Sequence, residues 1–190
     1  CQSNERKITP TYFIVMEFLT GPDLHNLLKT QERLTLDESL LLLKSIASAL
    51  DYAHQRGLVH RDIKPSNIML DSTTDPARAV LTDFGIVKIA DANTQITASR
   101  VLGTFDYIAP EQIQSSEEVD KRADIYALGV MTYQMLTGTM PFERSNTGAL
   151  LLAHLTTPPP DASETNPNLP RGVARAIQQA MAKKPNERFE

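Results

Sequence analysis

The feature that most constrains this fold is residues 60–67, HRDIKPSN, a polar octapeptide between two apolar segments. Before it, apolar residues recur at helical intervals until Gly57, and after it comes the short apolar run 68–70. A second short apolar run, 79–82, leads directly to Asp83. We expect these two runs to pair as a β-hairpin, since both have strand length and lie close in sequence. The hairpin would bring the octapeptide and Asp83 into one small space.

The side chains in that space have the chemistry that phosphoryl transfer to a hydroxyl requires. The Asp62 carboxylate can orient a hydroxyl and accept its proton, and Lys64 supplies a cation for the transferred group. Asn67 and Asp83 offer amide and carboxylate oxygens, which are the ligands that Mg²⁺ prefers. The alternative is a solvated polar turn without chemistry.

The composition excludes several classes of protein. With 190 residues, 41% hydrophobic and 22% charged, the chain can bury a core of its own. Its net charge of −4 gives no general attraction to nucleic acid, so we expect no nucleic-acid partner. The single cysteine, Cys1, excludes an internal disulfide framework. No apolar stretch reaches the length of a membrane span, and we therefore expect a soluble chain.

The remaining segments predict mainly helices. The aromatic and β-branched run 12–16 instead predicts a buried strand. Thr35 and Glu38 have the spacing of a capping box, which predicts a long helix from there to Gly57. Helices are further expected at about 24–30, 121–137, 146–155 and 171–183, the last with Val173, Ala176, Ile177, Ala180 and Met181 on its buried face. We expect an exposed, movable segment at 88–104, where Thr and Ser residues are frequent and large apolar residues are few.

Three motifs in order carry a resemblance to a known family: the octapeptide, the tripeptide DFG at 83–85 and the tripeptide APE at 109–111. The chain resembles the carboxy-terminal lobe of a eukaryotic-type Ser/Thr protein kinase, and residues 103–112 are similar to the bacterial members. The resemblance implies the α+β protein-kinase fold. Residues 1–18 would be a remnant of the small lobe with one or two strands, and 19–190 a mainly helical large lobe with a small β-hairpin.

The resemblance also implies roles for the reacting groups. Asp62 would accept or orient the hydroxyl proton, and Lys64 would stand beside the γ-phosphoryl of ATP. Asn67 and Asp83 would bind Mg²⁺, and Thr104 would hydrogen-bond Asp62 and Lys64. The implied cofactors are ATP and Mg²⁺. Lys64 and Thr104 are typical of Ser/Thr kinases rather than tyrosine kinases.

The nucleotide would lie against residues on either side of the turn that Gly21 and Pro22 predict. By the resemblance, the Glu17 carbonyl and the Leu19 amide would bind the adenine edge, and Asp23 would reach the ribose. Met16 would stand at the back of the adenine pocket and Met69 would form its floor. For the two methionines, plain core packing is an equally good interpretation.

Other residues are implied as supports. His60 and Phe84 would stack on each other without proton chemistry, and Asp124 would hold the backbone of the octapeptide loop. Glu111 and Arg188 would form a buried ion pair.

A last group concerns regulation. Arg61 beside Asp62 is typical of kinases whose activation segment, here 83–111, is ordered by a phosphate. Thr97 is the first candidate for that phosphate, with Thr94 and Ser99 as alternatives, and the interpretation that none is modified stays open.

These features together predict ATP-dependent phosphorylation of Ser or Thr in protein substrates, with autophosphorylation in trans through a homodimer. We expect a cytoplasmic domain, attached to a membrane only through segments outside 1–190. The chain holds no glycine-rich loop and no strand lysine, so we expect a piece of a longer protein that is inactive alone. The alternatives are a non-catalytic kinase-like scaffold or pseudokinase, and a small-molecule phosphotransferase, which Lys64 and segment 88–111 favour less.

Overall fold

The computed structural model describes residues 13, 15–73, 77–84, 105–114 and 119–190. This part of the chain is mainly helical and contains one two-stranded antiparallel sheet, as predicted. The α-helices and strands are α1 (Leu24–Thr30), α2 (Leu36–His54), β1 (Ile68–Asp71), β2 (Arg78–Leu81), α3 (Pro110–Gln114), α4 (Arg122–Thr137), α5 (Thr147–Thr156), α6 (Ala162–Thr165) and α7 (Arg171–Ala180). Single 3₁₀ turns lie at Pro65–Asn67 and Pro185–Glu187.

Helix α2 begins at the predicted capping box. The Thr35 hydroxyl accepts a hydrogen bond from the Glu38 backbone N–H at 3.3 Å, and the Glu38 carboxylate accepts one from the Thr35 N–H at 2.8 Å. These bonds from Thr35 also lower the pKa of Glu38. The predicted apolar face is confirmed, because the buried side chains of α2 include Leu42, Ile46, Leu50 and Ala53. Helix α2 therefore leads into the octapeptide from a fixed base.

Helix α4 runs through the centre of the molecule and is buried on most sides. Residues on opposite faces, such as Tyr126 and Met131, are 0% exposed. Gly129 allows close approach of α7, because a Cβ at Gly129 would lie 2.8 Å from the Cβ of Ala180. The helix ends at Gly138, whose φ of 78° lies in the left-handed region that favours glycine. The central position of α4 makes it a suitable support for the site.

The predicted hairpin is confirmed. Strand β1 pairs with β2 in antiparallel register, with Ile68 opposite Leu81. The strand β1 also contacts the turn before α1, because the Leu70 N–H donates to the Pro22 carbonyl at 2.9 Å. Gly21 is required in that turn, since a Cβ there would overlap the Leu70 carbonyl. The turn and the hairpin thus form one unit beside the octapeptide.

The predicted buried strand at 12–16 is wrong for the residues that the structure describes. Phe13, Val15 and Met16 are 83%, 85% and 72% exposed, and none of them belongs to a strand. A strand needs a neighbouring strand for its hydrogen bonds, and among the described residues β1 and β2 use each other. Residues 12–16 therefore have the composition of a strand but no strand to pair with among the described residues.

Smaller differences concern the ends of helices. Helix α7 ends at Ala180, and its buried face includes Ala174, whereas the predicted Ala176 is exposed. The short helices α3 and α6 were not predicted, because one turn is too short to show a helical period.

Segment 88–104 lies outside the described residues. None of the helices in the described ranges combines the length and apolar character that crossing a membrane requires.

Candidate active site

A buried carboxylate on α4 holds the backbone of the octapeptide, as predicted. Asp124 is 1% exposed, and its two oxygens accept hydrogen bonds from the N–H groups of His60, at 2.9 Å, and Arg61, at 2.7 Å. His54, the last residue of α2, adds a third bond, from Nε2 to the Asp124 carboxylate at 2.8 Å. A buried carboxylate is stable when several donors surround it. His54 was not predicted to have this role, because its only signal in the sequence is its place at the end of the helix.

His60 has the structural role that was predicted. It is 0% exposed, and its ring lies 4.8 Å from the ring of Phe84. Its Nε2 donates to the Thr82 carbonyl at 2.9 Å, while Nδ1 accepts from the Asp62 N–H at 3.3 Å. These partners fix the neutral tautomer with the proton on Nε2. Both ring nitrogens are therefore used in hydrogen bonds to the backbone.

Three predicted site residues meet directly. The Asp62 carboxylate accepts hydrogen bonds from Lys64 Nζ at 2.9 Å and from Asn67 Nδ2 at 3.2 Å. Asn67 Nδ2 also donates to the Asp62 carbonyl at 2.8 Å. The Lys64 and Asp62 side chains are 21% and 20% exposed, so a molecule at the surface can still reach them. Because the amide nitrogen of Asn67 faces Asp62, its Oδ1 is the atom that can bind a metal ion.

Asp83 is joined to this group through its neighbour in sequence. The Thr82 N–H and hydroxyl both donate to the Asn67 carbonyl, at 2.9 and 3.1 Å. Asp83 follows directly and its side chain is exposed. The structure therefore places an amide oxygen and a carboxylate on adjacent backbone segments. This pair of hard oxygen donors fits a Mg²⁺ ion that takes its other ligands from phosphate and water.

The backbone at this site is strained. Arg61 and Asp83 have φ values of 63° and 56°, and within the described ranges they are the residues other than glycine with positive φ. Such conformations cost about 1–3 kcal/mol each and concentrate at functional sites. An arginine gives no sign of this conformation, and an aspartate, although it adopts it more often than most residues, does so too rarely for the sequence to predict it. The surrounding bonds to Asp124 and Asn67 hold the strained backbone in place.

Two of the residues predicted to contact the nucleotide, Asp23 and Met69, lie beside each other. Asp23 caps α1, where its carboxylate accepts from the Asn26 N–H at 2.7 Å, and it lies beside Met69 through a backbone bridge. Met69 is half-buried. The side chain of Asp23 thus lies near the predicted adenine floor, but it also serves the helix.

The segment before Asp23 is open to solvent. Met16 and Glu17 are exposed and Leu19 is half-buried, so Met16 does not pack in the core that the described residues form. Thr104 and the candidate phosphorylation sites Thr94, Thr97 and Ser99 lie outside the described residues.

The predicted ion pair between Glu111 and Arg188 is confirmed. Two parallel bonds of 2.7 and 2.8 Å join the guanidinium to the carboxylate, and the Arg188 side chain is 0% exposed. Arg188 also donates to the carbonyls of Arg122 and Ala182, each at 2.8 Å. This arrangement anchors α3 to the end of the described chain.

Comparison with known families agrees with this geometry. A family model described as protein kinase domain matches residues 4–190. Since the match covers nearly the whole chain, the chain belongs to the protein kinase family.

The curated relatives that it matches include bacterial Ser/Thr kinases. It is 42% identical over 182 residues to the serine/threonine-protein kinase Pkn1 of Myxococcus xanthus, covering 95% of this chain and 26% of the relative. Identity to PrkC of Bacillus subtilis is 37% over 179 residues, covering 94% of this chain and 27% of the relative. Identity to PknH of Mycobacterium bovis is 38% over 177 residues, covering 93% and 29%. The chain thus spans about a quarter of the length of these relatives.

Proposed function

We propose that the protein carrying this chain transfers the γ-phosphoryl group of ATP to Ser or Thr hydroxyls of protein substrates. The observation that carries the proposal is the direct contact of Asp62 with both Lys64 and Asn67. The Ser/Thr specificity is supported by the names of the relatives, all of which are serine/threonine-protein kinases.

In the reaction, the Asp62 carboxylate orients the substrate hydroxyl and accepts its proton. The hydroxyl oxygen forms a bond to the γ-phosphorus, and the bond between that phosphorus and the β,γ-bridging oxygen breaks. The products are a phosphorylated protein and ADP. Lys64, at 2.9 Å from Asp62, keeps the carboxylate in place and offers a positive charge to the transferred group.

Asn67 and Asp83 are the residues that would hold Mg²⁺, which when bound neutralises phosphate charge. Asn67 has a second task, because its Nδ2 bonds to both the carbonyl and the carboxylate of Asp62. An amide at this position therefore serves the metal site and the base at once. An aspartate at position 67 would lose that donor and repel Asp62.

The nucleotide contacts and the regulation are part of the same proposal. Glu17 and Leu19 would bind adenine through their backbone, Met16 and Met69 would enclose it, and Asp23 would reach the ribose. The hydroxyl of Thr104 would bond Asp62 and Lys64. The activation segment would be autophosphorylated in trans between two copies, at Thr97, Thr94 or Ser99, in the cytoplasm.

The test is made on the full-length gene product. Asp62→Asn keeps the size of the side chain but removes the base, so phosphorylation of a generic protein substrate should fall to background while ATP binding stays. The matched control is Asp51→Asn, an exposed residue of α2, which should leave transfer unchanged. Full turnover by Asp62→Asn would refute the role of Asp62. ATP binding without any transfer by the unaltered protein would favour the scaffold alternative.

A further inference from the structure

The side chain of Gln112 bridges two segments that the proposed reaction needs. Gln112 lies on α3, and its Nε2 donates to the Arg61 carbonyl at 2.9 Å. Its Oε1 accepts from the Ala109 N–H at 3.1 Å. The orientation of the amide is assigned from these partners, because the reversed amide would put like groups opposite each other at both ends. Gln112 therefore links α3 to the octapeptide.

The bond from Gln112 reaches the peptide group that precedes Asp62. The carbonyl of this group accepts from Gln112, and its N–H, which belongs to Asp62, donates to His60 Nδ1 at 3.3 Å. The other side of Arg61 is held as well, since its own N–H donates to Asp124 at 2.7 Å. A peptide group is planar, so fixing both of its polar ends fixes its plane and the position of the Asp62 Cα. On the other side of that Cα, the Asp62 carbonyl accepts from Asn67 Nδ2 at 2.8 Å, and the two restraints together set the direction of the Asp62 side chain.

This restraint lies where the backbone is strained. Arg61 has a φ of 63°, a conformation that persists only when its surroundings hold it. Asp124 and Gln112 hold Arg61 from two different helices, α4 and α3. Without the bond from Gln112, the peptide group between Arg61 and Asp62 can rotate.

Gln112 also contacts the surface beside Asp62. One cavity is lined by residues of both segments, among them Asp62, Phe105, Tyr107, Ile108 and Gln112. Residues of segment 105–114 therefore line the same cavity as Asp62. The bond from Gln112 to the Arg61 carbonyl also links this segment to the backbone beside Asp62.

We infer that Gln112 is a positioning residue, which sets the orientation of Asp62 through the Arg61 carbonyl and couples segment 105–114 to it. The inference rests on the proposed function. It concerns the transfer step and not the binding of ATP, because within the described part of the chain the side-chain hydrogen bonds of Gln112 go to Arg61 and Ala109, which are not assigned to the nucleotide. Loss of the bond should therefore lower kcat and leave the KM for ATP unchanged.

The test compares variants of the full-length protein that distinguish a positioning role of Gln112 from a role within α3 alone. Gln112→Glu keeps the length of the side chain and the acceptor for the Ala109 N–H, but it places a carboxylate oxygen opposite the Arg61 carbonyl. If Gln112 served only as the acceptor for the Ala109 N–H, this variant would behave as the unaltered protein. A positioning role predicts a fall in kcat of about tenfold or more, with an unchanged melting temperature.

Two further variants complete the experiment. Gln114→Glu makes the same change at an exposed position of the same helix and should leave kcat unchanged. Gln112→Met removes both polar groups at similar length and should lower kcat as Gln112→Glu does. Unaltered kcat in either folded Gln112 variant overturns the inference, and so does loss of folding in both, which would show a purely structural role. If the unaltered protein transfers no phosphoryl group, the proposed function fails and this inference fails with it.

Discussion

The buried His154 should make the stability of the protein sensitive to mild acid. His154 lies on α5 and is 0% exposed. Its Nδ1 lies 2.9 Å from the Tyr126 hydroxyl, and its Nε2 has no hydrogen-bond partner among the described residues. Burial, and then the charge of Lys183, lower the pKa of His154 to about 4, while a weaker interaction with the Asp106 backbone acts in the opposite direction.

The sign of the effect follows from the two pKa values of His154. The value is about 4 in the folded protein and near 6.5 in the unfolded chain, so between these pH values the unfolded chain binds the proton more readily. The free energy of unfolding is therefore full above pH 6.5 and falls as the pH drops toward 4. The loss amounts to about 2 kcal/mol at pH 5 and about 3 kcal/mol at pH 4. A loss of that size is a large part of the stability of a typical domain.

The measurement is urea unfolding at pH 7 and pH 5 for the unaltered protein and for His154→Gln, whose side chain does not titrate. The unaltered protein should lose about 2 kcal/mol more than His154→Gln between these pH values. His25→Gln, a change at an exposed histidine, is the control and should keep the pH dependence of the unaltered protein. Equal losses in the unaltered protein and His154→Gln would refute the reasoning.

Two further changes test the packing of the helices by urea unfolding. Arg188→Met leaves Glu111 without its partner and should lower the free energy of unfolding by about 3–5 kcal/mol, and a loss under 1 kcal/mol would contradict the buried ion pair. Gly129→Ala should destabilise by about 1–3 kcal/mol, because its Cβ would press on Ala180. In the matched change Gly172→Ala the Cβ meets nothing within 4 Å, so that helix α7 should gain up to about 1 kcal/mol, and equal effects at both glycines would contradict the close packing of α4 and α7.

The parts of the fold that the sequence predicts well have local signals. The capping box at Thr35 and Glu38 is complete within four residues, and the two strands of the hairpin are near neighbours in the chain. The chemistry around Asp62 was also predictable, because its partners Lys64 and Asn67 come from the same octapeptide.

The parts that could not be predicted depend on partners elsewhere. The run 12–16 has the composition of a strand, but composition does not supply a neighbouring strand. The positive φ of Arg61 results from bonds to α3 and α4, and an arginine gives no sign of it. Gln112 and His54 were missed for the same reason, since a polar residue on a helix is usually a surface residue.

Asp124 and Arg188, the two side chains that anchor the site, are synthesised at different times. Asp124 follows His60 by 64 residues, whereas Arg188 follows Glu111 by 77 and lies near the end of the described chain. A ribosome that makes this chain therefore delivers Asp124, which holds the octapeptide backbone, well before Glu111 meets Arg188. The base and its supports can be assembled while α3 is still without its anchor. Translation thus completes the two supports of Arg61, Gln112 and Asp124, before it supplies the arginine that anchors α3.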